Sequence, residues 1–221
     1  SGLPFREIWA VDFEFHDYGR TGNQQFPVCM VAKELRSGQI VRTLSDQLKD
    51  KAVPPFDIGY DFMYVAYLAT AEQHCHLALD WPLPNNVLDC YAEFRVITNG
   101  KSTPRGRGLL GAMSWFNIDT LATEEKTHWR DLILSGGPWS SHERRGILDY
   151  CQSDVEALDK LLPPLVRSLK DRPSWLPHAL NRGRYMRAIA AMEFRGIPVN
   201  LPALERLTDR WDFLKAESIA R

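Results

Sequence analysis

Two pairs of residues carry a spacing that could do chemistry. Asp12 and Glu14 stand two apart in EIWAVDFEF (7–15), a segment that alternates like a half-buried strand. A strand's period of two points both carboxylates to one face. Two acids on the core side of an apolar strand are costly unless a cation or a partner neutralises them. Alternation alone also permits a plainer arrangement, an edge strand with Trp9, Val11, Phe13 and Phe15 buried and the acids in water. Far down the chain, Tyr150 and Asp154 are four apart in LDYCQSDVEALDKLL. On a helix that spacing stacks them one turn apart on a shared face. An Asp beside Leu158 and Leu161 on that face again calls for a cation, although a solvated helix face is common for Asp. A strand DxE joined to a helical YxxxD is far more specific than either part. Its chemistry would be the gathering of hard divalent cations by oxygen ligands.

The pattern around these residues switches once from strands to helices. PVCMVAKEL (27–35) and QIVRTL (39–44) read as strands joined by Arg36-Ser37-Gly38, a turn signal, and with 7–15 they form an antiparallel meander. FMYVAY (62–67) is a fourth strand, Thr70 opens a helix to about Leu79, and NVLDC (86–90) is a fifth strand. Helices follow over about 90–97, 108–117, 122–135 and 140–162. Between them, TNGKSTPRGRG (98–108) is a loop rich in Gly, Pro and basic residues. This order predicts an α/β fold of the ribonuclease H-like kind: a mixed five-stranded sheet flanked by helices, with a helical C-terminal extension.

Composition bounds the function. At 221 residues the chain has room for one good-sized domain and a smaller appendage. A net charge of −1 speaks against a duplex binder working by charge alone, which would be strongly basic. An enzyme that gathers acids around cations and also grips nucleic acid can come out near neutral. Cys29, Cys75, Cys90 and Cys151 are scattered with no CxxC pair, so free thiols in a reducing compartment are expected. No apolar run approaches the roughly 18 residues of a membrane span and no signal peptide is visible, so the expected location is the cytoplasm of a bacterial or phage-infected cell.

The sequence resembles the DEDD exonucleases of the tyrosine subclass, and specifically the 3′→5′ proofreading domain of family A DNA polymerases. The DxE of Asp12 and Glu14 matches the first motif, and the YxxxD of Tyr150 and Asp154 the third. The histidine subclass would place a His five residues before the last Asp, where this chain has Asp149. The second motif supplies an Asp after a strand, at a helix start, and VAYLATAEQHCHL (65–77) puts Glu72 there instead. The family's further strand-ending Asp, about 17 residues later, corresponds to Asp89, a neighbouring structural residue or the alternative fourth ligand. Glu72 also has a competing role, because Thr70-Ala-Glu-Gln73 is a capping-box pattern.

The resemblance implies two divalent cations, Mg²⁺ or Mn²⁺. Asp12 would bridge them, Glu14 and Asp154 would complete the nucleophile side, and Glu72 the leaving-group side. Tyr150, whose ordinary pKa is near 10, would orient the attacking water rather than deprotonate it. Arg105 and Arg107 in the 98–108 loop, and Lys126 on a helix, are candidates for phosphate contact, with a solvated surface as the alternative. His74-Cys75-His76 lacks a second ligand pair for zinc, and Trp115, Phe116, Trp129 and Trp139 read as core.

A helix over 177–195 ends at Gly196, Asn200 can cap a new helix, and Leu204, Leu207, Trp211 and Leu214 follow helical spacing to the end at Arg221. ALNRGRYMRAIAAMEFRGIPVN (179–200) resembles the junction into a polymerase module. The expected division is therefore an exonuclease domain over 1–170 and a helical junction over 171–221 that starts a polymerase module cut short here. Three functions follow: a proofreading domain acting on single-stranded DNA 3′ ends, a free-standing ribonuclease D-like exoribonuclease, or a scaffold without hydrolysis.

Overall fold

In the computed structural model, residues 2–16, 25–119 and 123–220 are described, with the backbone alone for 123–126. Five strands, β1 (Glu7–His16), β2 (Phe26–Glu34), β3 (Ile40–Leu44), β4 (Phe62–Ala66) and β5 (Val87–Asp89), form one sheet in the order β3-β2-β1-β4-β5. The meander β1–β2–β3 is antiparallel, and β4 and β5 run parallel to β1. This is the mixed five-stranded, ribonuclease H-like sheet that the sequence order predicts.

β1 is the central strand, not an edge. It pairs with β2 on one side and β4 on the other. Both of its faces are buried along the first half: Ile8 and Ala10 enter one apolar cluster, Trp9, Val11 and Phe13 the other. A strand walled on both faces reads as a near-continuous apolar run, which hides its central place from an alternation pattern. The face that carries Asp12 and Glu14 is the one covered by α6 (Ser141–Lys170), through Ile147, Cys151, Val155 and Leu158.

α6 starts with a capping box: Ser140 Oγ accepts from Glu143 N at 3.3 Å, and Glu143 Oε2 accepts from Ser140 N at 2.7 Å. It outruns the expected end near 162 and passes through Pro163 and Pro164. Each proline removes a helical N–H. Beyond them Leu165, Val166 and Leu169 are buried in the core, and that apolar anchoring carries the helix on to Lys170.

The other helices are α1 (Ser45–Lys49), α2 (Thr70–Ala78), α3 (Cys90–Ile97), α4 (Leu109–Trp115), α5 (Thr123–Leu134), α7 (Trp175–Arg195), α8 (Leu201–Asp209) and α9 (Trp211–Ala220). The five-residue α1, held by buried Leu48, is too short to leave a periodic signal. α7 lies against α2 and β5, and Arg182 makes a bidentate ion pair with buried Glu93 at 2.6 and 2.7 Å. Gly183 permits that approach, since a Cβ there would stand 2.0 Å from the Val87 carbonyl oxygen. Gly196, at φ 71°, ends α7 in the left-handed region. Asn200 caps α8 by accepting from Ala203 N at 3.1 Å, and the single helix expected from there to the end divides at Arg210. Among the described residues, no helix is long and apolar enough to cross a membrane.

Candidate metal centre

β1 and β4 run parallel, and their last paired residues are Ala10 and Val65. Asp12 and Glu14 therefore stand beyond that pairing, in the crevice at the carboxyl ends of parallel strands where α/β sheets place ligands. Both are half-buried, and Glu14 sits opposite Cys29 of β2 just before the ladder shifts register. Ligand atoms of Asp12, Glu14 and Cys151 lie within 4.8 Å of one another. The Cys151 thiol donates to the Asp12 backbone oxygen at 3.3 Å and to Asp12 Oδ2 at 3.4 Å.

α6 carries Tyr150 and Asp154 to the same place. The Tyr150 phenol is pushed well above its ordinary pKa, first by burial and then by the negative charges of Glu14, Asp154 and Asp12, with Arg130 pulling the other way. The phenol thus lies within electrostatic reach of all three acids. The phenol stays protonated through the neutral range and is a donor there.

The second motif resolves into two different carboxylates. Asp89 ends β5 and caps α3: Oδ1 accepts from Tyr91 N at 2.9 Å and Ala92 N at 3.1 Å, while Oδ2 accepts from Ala69 N at 3.1 Å. Burial pushes its pKa up, against the downward pull of these backbone donors. Glu72, in the first turn of α2, is 3 % exposed. Among the described residues its Oε2 has no hydrogen-bond partner. Burial drives its pKa well upward, and the charges of Asp12 and then Asp89 add to the rise. The capping box read at Thr70-Ala-Glu-Gln73 does not form. The N-cap is Ala69, without a side-chain cap, and Gln73 Nε2 instead donates to the Ala69 carbonyl at 3.0 Å. The Gln73 N–H that Thr70 would cap is already held by the Ala69 carbonyl at 3.0 Å, because the helix begins one residue earlier.

The donor set fits a divalent cation. A buried carboxylate oxygen with no partner is expensive, and a cation is the group that would repay it. Asp12, Glu14, Glu72 and Asp154 offer hard oxygens of the kind Mg²⁺ and Mn²⁺ take.

The remaining sequence candidates scatter. Arg105 and Arg107 are exposed, and among the described interactions neither touches the acids. Their loop is nonetheless tied to the same end of the sheet, because the hydroxyl of Tyr67, just past β4, donates to the Arg107 carbonyl. Lys126 has its side chain outside the described residues. His74 Nε2 meets the Ala190 carbonyl of α7 at 3.1 Å, whereas His76 Nδ1 meets the Pro82 carbonyl at 3.0 Å. The two rings thus serve different neighbours, and burial pushes His76 down to about 4. Trp115, Phe116, Trp129 and Trp139 pack against the main apolar cluster. All four cysteines are buried and free.

Three contributors escape the motif reading. Cys151 is one residue from Tyr150 and three from Asp154, so helical spacing alone could have placed it on the acid face. Arg130 on α5, exposed and within electrostatic reach of Tyr150, leaves no comparable signal. Tyr64, buried on β4, has its phenol pushed upward by burial and then by Glu72, Cys75 and Asp12. Close to the acids but not including them, a cleft of about 490 Å³ opens at the tip of β1, where His16 stacks on Phe26 at 5.6 Å.

No protein-family model and no curated protein matches the sequence. Solved structures do share its fold. The catalytic core of RRP6 from Trypanosoma brucei superposes with a TM-score of 0.54 at 16% identity, over 81% of this chain and 45% of that one. A cysteine-to-serine variant of the same core gives 0.52 at 17% identity, over 81% and 46%. Escherichia coli RNase D, an exoribonuclease involved in structured RNA processing, gives 0.55 at 16% identity, over 93% and 49%. The chain therefore spans less than half the length of each structure it matches.

Proposed function

We propose that this chain is a metal-dependent 3′→5′ exonuclease domain that hydrolyses phosphodiester bonds at the ends of single-stranded nucleic acid. The observation that carries the reading is the buried Glu72 Oε2, without a hydrogen-bond partner among the described residues and under the charge of Asp12, at the strand ends near Glu14, Asp154 and Tyr150. Asp12, Glu14, Glu72 and Asp154 would hold the cations. Bound there, divalent ions supply Lewis acidity toward the phosphate and lower the pKa of the attacking water. The protein's own part is positional. Tyr150, kept protonated by burial and then by its acidic neighbours, donates a hydrogen bond that orients the water and does not serve as base. Arg130, beside Tyr150, and Arg105 and Arg107 on the tethered loop are the cations placed to meet phosphate oxygens.

For the substrate, DNA 3′ ends are favoured by the 179–200 segment, which resembles the junction leading into a family A polymerase. The proofreading context and a covalently continuous polymerase module belong to this proposal. RNA is the second reading, favoured by the likeness to E. coli RNase D over 93% of the chain. Digestion of 5′-labelled single-stranded DNA and RNA with Mn²⁺ separates them. The proposal expects products shortened from the 3′ end, with DNA the faster substrate. Faster RNA decay gives the ribonuclease D-like reading, and intact substrate with folded, metal-supplied protein gives the scaffold.

A further inference from the structure

The carboxylates are joined by a side chain that hydrolysis does not require. Cys151 is fully buried beside the half-buried Asp12 and Glu14. Its sulfur lies 3.4 Å from Asp12 Oδ2. That separation is close to the ~3.5 Å between a sulfur and an oxygen sharing one tetrahedral ion at bond lengths of about 2.3 and 2.0 Å. A Glu14 oxygen completes a triad whose ligand atoms all fall within 4.8 Å of one another. Independently, Glu72 keeps a buried oxygen with no hydrogen-bond partner among the described residues, within electrostatic reach of Asp12. The site thus has a reason to take a cation apart from its collection of acids.

Ligand type then decides which cation. Four carboxylates alone favour Mg²⁺ or Mn²⁺, but a thiolate among them favours Zn²⁺, Cd²⁺ or Co²⁺. We propose that Cys151 is a metal-specificity residue, through which this centre takes a thiophilic divalent cation on Cys151 Sγ together with the carboxylates of Asp12 and Glu14. The inference rests on reading the cluster as a metal centre. As the metal–sulfur bond forms, the S–H bond breaks and its proton leaves to solvent, with no change of oxidation state. A hard cation leaves the thiol protonated and its hydrogen bond to Asp12 in place. The two classes of ion therefore compete for Asp12 by different routes, and Zn²⁺ displaces the ion that would support hydrolysis.

Anaerobic titration of the whole chain with Co²⁺ reads the sulfur directly. Wild type should develop a thiolate-to-cobalt charge-transfer band in the near ultraviolet. Cys151→Ala should lose it, and so should Cys151→Ser, which keeps the volume and the hydrogen-bond donor should the alanine variant fold poorly. Cys90→Ala, altered at the start of α3, should keep it. By calorimetry, Cys151→Ser should bind Zn²⁺ at least about tenfold more weakly, while Mn²⁺ affinity shifts far less. A wild-type cobalt complex without the band, a band that survives in folded Cys151→Ser, or equal weakening of Zn²⁺ and Mn²⁺ would each overturn the proposal. The nuclease reading is judged apart: a protein with the band that digests nothing keeps this inference and loses that one, and digestion with Mn²⁺ in the absence of a band does the reverse.

Discussion

Asp89 and Glu72 are both buried acids on the side of the sheet where β4 and β5 end, and the chain treats them in opposite ways. Asp89 spends its carboxylate on backbone: three N–H groups, from Tyr91, Ala92 and Ala69, tie the start of α3 and the start of α2 to the end of β5. Glu72 is equally hidden, yet among the described residues its Oε2 meets no donor, and the charge that bears on it most is another acid, Asp12. Burial of this kind contributes nothing to folding and opposes it. A satisfied buried carboxylate builds the scaffold, whereas an unsatisfied one stores a cost that a ligand can relieve. The contrast gives Asp89 a structural role and supports the ligand role proposed for Glu72.

Substitutions can break that contrast or sharpen it. The largest effect is expected at Asp12, whose charge bears on Glu72 and whose carboxylate accepts from Cys151. Asp12→Ala should lower nuclease turnover by roughly 10²–10³-fold or more while the circular dichroism spectrum stays native. Turnover near wild type would remove Glu72's partner from the chemistry. Asp89→Ala should act on stability, costing about 2–4 kcal/mol by chemical denaturation, because it deletes a helix cap and strands buried N–H groups. A loss of activity without a loss of stability would move Asp89 into the metal centre.

Glu72→Gln should invert that behaviour. Without metal its unfolding midpoint should rise near neutral pH, since Gln removes the cost of taking up a proton to bury this carboxyl. Metal affinity should fall by roughly 10–100-fold, and excess Mn²⁺ should restore part of the rate. A lower midpoint with full activity would mean that Glu72 merely helps to start α2. Tyr150→Phe should be the mildest, a slowing of roughly tenfold measured in single turnover, because the ring still packs and only the oriented hydrogen bond is lost. If it proved as inert as Asp12→Ala, the hydroxyl would have to do more than orient.

The sequence shows which parts of this are local and which are not. The DxE and YxxxD spacings, the five strands and the Asn200 cap are legible because each is a property of one segment. The central place of β1 is not, since alternation at Trp9, Val11 and Phe13 reads the same whether one or two neighbouring strands are present. The capping box at Thr70 fails because α2 begins one residue earlier, and the Ala69 carbonyl holds the Gln73 N–H that Thr70 would have capped. The run of α6 through Pro163 and Pro164 depends on what Leu165 and Leu169 meet in the core. Cys151 lay inside the motif, but a thiol beside an acid gains meaning only when β1 and α6 bring them together.

The central claim is that carboxylates from β1, α2 and α6 assemble a divalent-metal centre completed by Glu72. Calorimetric titration with Mn²⁺ tests it most directly, on wild type and Glu72→Gln side by side. The account predicts two ions per chain in the wild type and one in the variant, with a matching metal-dependent rise in unfolding temperature that is smaller in the variant. Equal stoichiometry in both proteins, or no binding to the folded wild type, would contradict it.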